Sequence, residues 1–264
     1  MGVLQLLTPR PGLRVLITGG ASGIGLEIAK AFVEAGARVH VCDVDANAIA
    51  ALKTLKTLVI TGSCADVSDA AAVERVFDDV RSKLGGLDVL INNAGIAGPT
   101  GGIDEIPIAD WEKTVAVNLN SHFYFMRHAV PMLRSAPDGG SIVFISSVAG
   151  RLGYAYRTPY SSTKWALVGL AKSLAIELGP DNIRVNAIQP GIVKGPRMER
   201  VIRARAEQVG VSYESMEASY LDKISLKRMV TQEEIAASVL FLCSPAGSAL
   251  SGQAISVCRN VETL

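Results

Sequence analysis

Short, nearly continuous apolar runs alternate along the chain with longer stretches in which apolar residues recur every three or four positions. The runs at 14–18, 38–42, 58–60, 89–91, 141–146, 184–188 and 254–257 are rich in β-branched residues. Because they lack polar alternation, they read as strands covered on both faces, which a parallel sheet requires. The stretches at 24–35, 46–55, 69–84, 110–134, 159–178 and 232–242 have the length and period of helices. Their strict alternation predicts a three-layer α/β/α fold, a doubly wound parallel sheet with helices on each side.

Local punctuation agrees with this order. Ser68 is an N-cap candidate, Thr231 and Glu234 have capping-box spacing, and Gly36 and Gly179 follow helices as C′ glycines do. Asp138-Gly139-Gly140 interrupts the chain before a strand. With no internal repeat, low-complexity tract or linker, residues 1–264 read as one domain. The stretch from Pro190 to Leu226 shows no sheet continuation and is rich in Arg, Glu and Met. A long excursion at the carboxyl end of a strand is where such a fold carries a substrate-covering lid, here at about 192–226.

Thr18-Gly19-Gly20-Ala21-Ser22-Gly23-Ile24-Gly25 joins the first strand to the first helix. Gly19 permits the tight turn, Gly23 lets a pyrophosphate approach the backbone, and Gly25 lets the helix pack close to the sheet. Ser22 and Ile24 lie at the helix N-terminus, whose free N–H groups favour phosphate. A purely structural turn would use the same glycines, so the context matters: Asp43 ends the second strand 18 residues after Gly25. An acid there accepts hydrogen bonds from both adenosine ribose hydroxyls and repels a 2′-phosphate. Neither Ser22 nor Val44 supplies a cation for such a phosphate. The expected cofactor is therefore NAD, unless Asp43 merely caps its strand. Asp66-Val67 ends the third strand, where a carboxylate and an N–H would hold adenine, or where Asp66 is a solvated loop acid.

Tyr160-Ser161-Ser162-Thr163-Lys164 lies near the start of a predicted helix, and its first and last residues share one face. A phenol titrates near about 10, so working near neutrality needs roughly 4 kcal/mol of preference for the phenolate. A neighbouring ammonium in a partly buried site supplies that order of energy. A surface Tyr/Lys pair would be unremarkable, but Ser147 ends a strand 13 residues before Tyr160. Its hydroxyl would bond a substrate oxygen beside Tyr160, whereas alternation sends Ser146 to the other face.

These residues resemble the short-chain dehydrogenase/reductase family, in its single-domain branch of roughly 250 residues. The resemblance runs from Leu13 to about Val257. It rests on Thr18-Gly19-x-x-x-Gly23-x-Gly25, Asn92-Asn93-Ala94-Gly95, Asn118, Ser147, Tyr160-x-x-x-Lys164 and Pro190-Gly191. It implies a Rossmann-like sheet and NAD(P)-dependent interconversion of alcohol and carbonyl. Tyr160 would be the general acid/base, Lys164 would lower its pKa and bind the nicotinamide ribose, and Ser147 would polarise the substrate carbonyl. Asn118 would hold a water linking Lys164 to solvent. Asn93, Ala94 and Gly95 would lie beneath the cofactor, while Pro190, Gly191 and Val193 would contact the nicotinamide. The family commonly has Thr five residues after that proline, to bond the carboxamide; here the position is Gly195.

Composition narrows the alternatives. At 49% hydrophobic the chain has enough apolar surface to fold, and 26 basic against 25 acidic residues give a net charge of +1. No global charge draws it to nucleic acid or anionic membrane. Met1-Gly2-Val3-Leu4-Gln5-Leu6-Leu7 lacks the basic region and cleavage site of a secretory signal, Leu6 stands where myristoylation wants Ser or Thr, and no run of 18 apolar residues occurs. A cytoplasmic location is expected, with Cys42, Cys64, Cys243 and Cys258 reduced. His40, His122 and His128 have no zinc spacing, so no metal is expected. The resemblance also implies a homotetramer built through the helices at 110–134 and 159–178.

The expected substrate is a small-molecule alcohol or ketone. Arg151, Tyr154, Tyr156 and Arg157, with Lys194, Arg197, Arg200, Arg203 and Arg205, form two cationic clusters near the expected pocket. Arg151, Tyr154 and Arg197 are the substrate candidates, for an anion such as a sugar acid or hydroxy acid. A solvated face or a subunit contact would carry the same charges. Two other functions remain open: an NADPH-dependent 3-oxoacyl thioester reductase, and a nucleotide sensor without catalysis.

Overall fold

The computed structural model describes residues 2–55 and 59–263. A short helix α1 (Val3–Leu6) precedes β1 (Arg14–Thr18), α2 (Gly23–Glu34), β2 (Arg38–Asp43), α3 (Ala46–Ala51), β3 (Ile60–Cys64), α4 (Ala70–Leu84) and β4 (Val89–Asn92). Then come α5 (Ile108–Val115), α6 (Ser121–Arg134), β5 (Gly140–Ile145), α7 (Thr158–Glu177), β6 (Ile183–Pro190), α8 (Pro196–Val209), α9 (Tyr213–Asp222), α10 (Gln232–Cys243) and β7 (Ala254–Val257). Among the described residues the strands form one sheet in the order β3-β2-β1-β4-β5-β6-β7, with every pairing parallel.

Side-chain alternation divides the core into two layers. Leu16, Leu90, Ile142, Phe144 and Val185 face one side, where they pack with Phe77 of α4, Phe125 of α6 and Leu167 of α7. Val15, Ile17, Val39, Ile91 and Val143 face the other, against Phe32 of α2 and Val239 of α10. Both faces are therefore covered, and the continuous apolar character of the strands follows from it. The chain reverses its direction of winding between β1 and β4, and the carboxyl ends of those strands flank the crevice where such folds bind ligands. A third small cluster, containing Val148, Ile192, Ile224, Cys258 and Val261, seats the segment at 192–226 on the sheet end. That segment folds into α8 and α9.

Some local expectations change. Of the strand expected at 58–60, Leu58 lies outside the described residues and β3 begins at Ile60. The helix expected at 110–134 is interrupted by a π turn at Ala116–Asn120, where the buried side chain of Asn118 turns inward to bond a neighbouring backbone. Asp69 rather than Ser68 caps α4, accepting from the Ala71 amide, because Ser68 is bonded to Asp66. Gly179 opens a 3-10 turn, and Asn182 takes the left-handed position at φ 55° while donating to the Asp138 carbonyl. The Thr231–Glu234 capping box forms as expected.

Candidate active site

The glycine turn is built by backbone clearance. Gly19 and Gly23 adopt φ values of 60° and 54°. A Cβ on Gly25 would run into the Gly19 carbonyl and come within 2.6 Å of Asn93 Nδ2. Asn93 clamps the turn to the end of β4: its Nδ2 donates to the Thr18 and Gly19 carbonyls at 2.9 Å each. Thr18 Oγ1 in turn accepts from the Asn93 and Ala94 amides at 3.0 and 2.9 Å. Ser22 stands at the N-cap of α2 without capping it, and the first turn holds no acid. Open space lies in front of Gly23. Uncapped amides, open space and absent negative charge are what a bound pyrophosphate needs, so this turn fits a dinucleotide.

The acidic partner lies at the rim of the same turn. Asp43 Oδ2 accepts from the Ala21 amide at 3.1 Å, and Oδ1 accepts from the Asp45 amide at 3.2 Å. Asp66 Oδ1 binds the amide and hydroxyl of Ser68, and Val67 is buried beside it. Across the crevice Pro190 ends β6, and a Cβ on Gly191 would approach Cys258 Cα to 2.7 Å. Val193 pairs with Val230 in an isolated bridge. Gly195 has φ 150° and faces Gln232 Nε2 so closely that a Cβ would come within 2.7 Å of it. A threonine in this backbone conformation would be strained.

The first turns of α7 carry Tyr160 and Lys164 on one face. Lys164 Nζ lies 5.7 Å from the Tyr160 ring centroid and donates to the Ile145 carbonyl at 2.8 Å. Burial, with a contribution from the Arg197 charge, pushes this ammonium down to about 7. Gly95 touches the same group: a Cβ there would lie 3.4 Å from Lys164 Nζ and 3.3 Å from Asn118 Oδ1. Asn118 exchanges hydrogen bonds with the backbone of Ile96. Ser147 follows β5, and its Oγ accepts from the Ala149 amide at 3.1 Å. Ser146 points the other way, donating to the Lys164 carbonyl at 2.7 Å, as strand alternation requires.

A cavity of about 680 Å³ opens beside this group, between the 95–98 segment, the 154–157 loop and the helices α8 and α9. Tyr154 and Arg197 line it. Arg151 does not: its guanidinium is held by the C-terminal segment, donating to Glu262 and to the Val261 carbonyl. Its carboxylate partner lies more than a hundred residues away in sequence. The sequence reading also missed Tyr220 and Lys223, which α9 brings to the cavity wall. Nothing in their local pattern marks them, because only the turn between α8 and α9 sets their direction.

Comparison with known proteins agrees with this geometry. A family model described as enoyl-(acyl carrier protein) reductase matches residues 19–259. The probable galactose dehydrogenase of Rhizobium meliloti is 36% identical over 255 residues, covering 94% of this chain and 95% of its own. Among solved structures, 7α-hydroxysteroid dehydrogenase complexed with NADH and 7-oxo glycochenodeoxycholic acid is 30% identical, with a TM-score of 0.82 over 99% of this chain and 98% of that one. An actinorhodin polyketide ketoreductase variant with NADPH is 32% identical, with a TM-score of 0.89 over 96% and 98%. Sheet order, glycine turn and the Tyr160–Lys164 face thus meet in one molecule, and the chain belongs to the short-chain dehydrogenase/reductase family of oxidoreductases acting on alcohol and ketone groups.

Proposed function

We propose that this chain is an NAD-dependent dehydrogenase that interconverts a secondary alcohol and its ketone, with Tyr160 as general acid/base. The observation that carries the reading is the approach of Lys164 Nζ to the Tyr160 ring, beside Gly95 and the cavity. In oxidation the Tyr160 phenolate takes the hydroxyl proton while Ser147 donates a hydrogen bond to the same oxygen; in reduction the proton returns to the carbonyl oxygen. Lys164 keeps the phenolate favourable and would bind the nicotinamide ribose, and Asn118 would hold a water through which the Tyr160 proton leaves to solvent in oxidation and returns in reduction. A bound nicotinamide supplies the hydride acceptor or donor.

Gly19, Ser22, Gly23, Ile24 and Gly25 would hold the pyrophosphate, and Asp66 with Val67 the adenine. Asn93, Ala94 and Gly95 would lie under the cofactor, with Pro190, Gly191 and Val193 against its nicotinamide. Asp43 supports NAD over NADP, since a carboxylate fixed on the glycine turn repels a 2′-phosphate. The substrate is read as a hydroxylated anion such as a sugar acid or hydroxy acid, covered by α8 and α9 as a lid. The exposed apolar residues Trp111, Phe123, Trp165 and Ile176 on α5, α6 and α7 support a homotetramer. Four unpaired cysteines support a cytoplasmic location, and among the described residues no helix is long and apolar enough to cross a membrane.

The alternative is an NADPH-dependent 3-oxoacyl thioester reductase, favoured by the NADPH-bound ketoreductase neighbour. One assay separates the two. Reduced-nicotinamide absorbance is followed while polyols, sugar acids and hydroxy acids are offered with NAD⁺ or NADP⁺, and 3-oxoacyl thioesters with NADH or NADPH. Turnover of a hydroxy compound with NAD⁺ is expected. Faster turnover with NADP⁺, or of thioesters with NADPH alone, overturns the NAD reading.

A further inference from the structure

The cavity beside Tyr160 carries charge of one sign. Its ionisable lining residues other than tyrosine are Arg157, Arg197, Arg200, Arg205 and Lys223, and no Asp or Glu lines it among the described residues. Arg197, Arg200 and Arg205 share one stripe of α8 with Val201, while Ile202 and Ala206 on the opposite side are buried. This placement works against the helix. Arg197 sits in the first turn, where the macrodipole disfavours cations, and Arg197 and Arg200 repel each other three positions apart. Of the acids on these two helices, Asp222 pairs with Lys227 at 3.3 Å, Glu217 accepts from Tyr213, and Glu199 and Glu207 are exposed and do not line the cavity.

The opposite wall repeats the imbalance with a buried group. Arg157 is 9% exposed and stacks on two rings, its Cζ lying 5.4 Å from the Tyr154 centroid and 5.3 Å from that of Tyr160. Its Nη2 donates to the Ala97 carbonyl at 2.7 Å, its Nε is buried without a partner, and no carboxylate reaches ion-pair distance among the described residues. A buried, uncompensated guanidinium is unfavourable for the fold alone, and so is a stripe of like charges at a helix start. A guanidinium held as Arg157 is held is what a site looks like when a ligand brings the counter-charge.

We propose that these two walls form an anion subsite, in which the substrate's carboxylate or sulfonate docks between Arg157 and the Arg200/Arg205 stripe while its carbinol carbon reaches Tyr160. The inference rests on the oxidoreductase reading and locates the recognition of its substrate. Guanidinium groups suit it because they bind such oxyanions through paired hydrogen bonds. Neutral alcohols of the same shape gain none of this and are discriminated against.

Isothermal titration of the NADH-saturated protein with malonate and methanesulfonate, and with neutral malonamide, tests it without knowledge of the substrate. Saturable binding of both anions is expected, weakening as sodium chloride is raised, with none for malonamide. R200Q and R205Q each reduce malonate affinity about tenfold, the loss of one charge-assisted contact. R203Q serves as the control, because Arg203 stacks on Tyr213 away from the cavity, and leaves malonate affinity unchanged. NADH affinity stays unchanged in all three. Failure of the anions to bind while NADH binds overturns the subsite and leaves the dehydrogenase reading standing. Equal binding of malonamide, or malonate affinity untouched in R200Q and R205Q, overturns it in the same way. Failure of NADH itself to bind removes the dehydrogenase reading and this inference with it.

Discussion

Asn118 and Ile96 exchange two hydrogen bonds, the Ile96 amide donating to Asn118 Oδ1 at 2.8 Å and Asn118 Nδ2 donating to the Ile96 carbonyl at 3.0 Å. The pair ties the helical π turn to the segment that follows β4, and Gly95 is pinned between Asn118 and Lys164. Asn118→Ala strands an amide and a carbonyl, at about 1–3 kcal/mol for each group left buried. We expect a lower thermal midpoint by calorimetry and a lower kcat. NADH affinity, read by fluorescence titration, should hold. An unchanged kcat would separate Asn118 from the chemistry.

Gly25→Ala tests the glycine turn by clearance alone. The added methyl meets the Gly19 carbonyl and Asn93 Nδ2, both of which are fixed by the clamp to β4. Relief requires the turn to open, at about 1–3 kcal/mol of overpacking. NADH affinity should fall at least tenfold. Gly23→Ala differs, since nothing lies within 4 Å of its Cβ and only its φ of 54° is strained. An NADH affinity as high in Gly25→Ala as in the parent protein would refute the packing argument.

Asp43→Ser removes the carboxylate that accepts from the Ala21 amide. The kcat/KM ratio for NAD⁺ over NADP⁺ should drop by at least tenfold, as the repulsion of a 2′-phosphate disappears. Equal ratios in the two proteins would assign Asp43 to the turn alone.

How much of this was legible in the sequence depends on range. β1 and β5 were readable because both faces of each strand are covered, so Val15, Leu16, Ile17, Val143 and Phe144 form unbroken apolar runs. The glycine turn and the Tyr160–Lys164 face were readable because their spacing fixes their geometry. The π turn was hidden, since 110–134 has an uninterrupted helical pattern and only the bond from Asn118 to Ile96 reveals the inserted register. The bond from Arg151 to Glu262 was hidden for the same reason: its partner is distant in the chain, and no local pattern announces it. The helices α8 and α9 were invisible as helices because their polar sequence packs few residues into the core.

Two buried histidines weaken the fold in acid. His40 is held at about 4 and His122 at about 3 by burial, the latter also by the charge of Lys164. Their folded values lie below the unfolded value of about 6.5, so the unfolded chain binds the extra protons. Stability is therefore full above pH 6.5 and falls as pH drops toward 4 and then 3. Near pH 5 each contributes about 2 kcal/mol of destabilisation. His122→Leu should flatten the decline in urea midpoint between pH 6.5 and 4.5. A decline of unchanged steepness would assign it to other groups.

Arg151→Gln should separate stability from recognition. The side chain joins the Ser147 loop to Glu262 and Val261, so its loss frees the C-terminal segment at about 1 kcal/mol, small because the ion pair is partly exposed. The thermal midpoint should fall slightly while KM for the alcohol is unchanged. A large rise in KM would return Arg151 to the substrate.

The π turn at Ala116–Asn120 has a consequence for how this chain tolerates change. One residue more than an ordinary turn rotates everything downstream by about 100°. Before it, α5 is phased to present Thr114 inward; after it, α6 is phased to present Phe125, Ala129 and Leu133 to the sheet. Removing a single residue there would leave both helices intact yet turn that apolar stripe toward water. Beyond the identity of Asn118, the number of residues is what this short stretch of chain has to preserve.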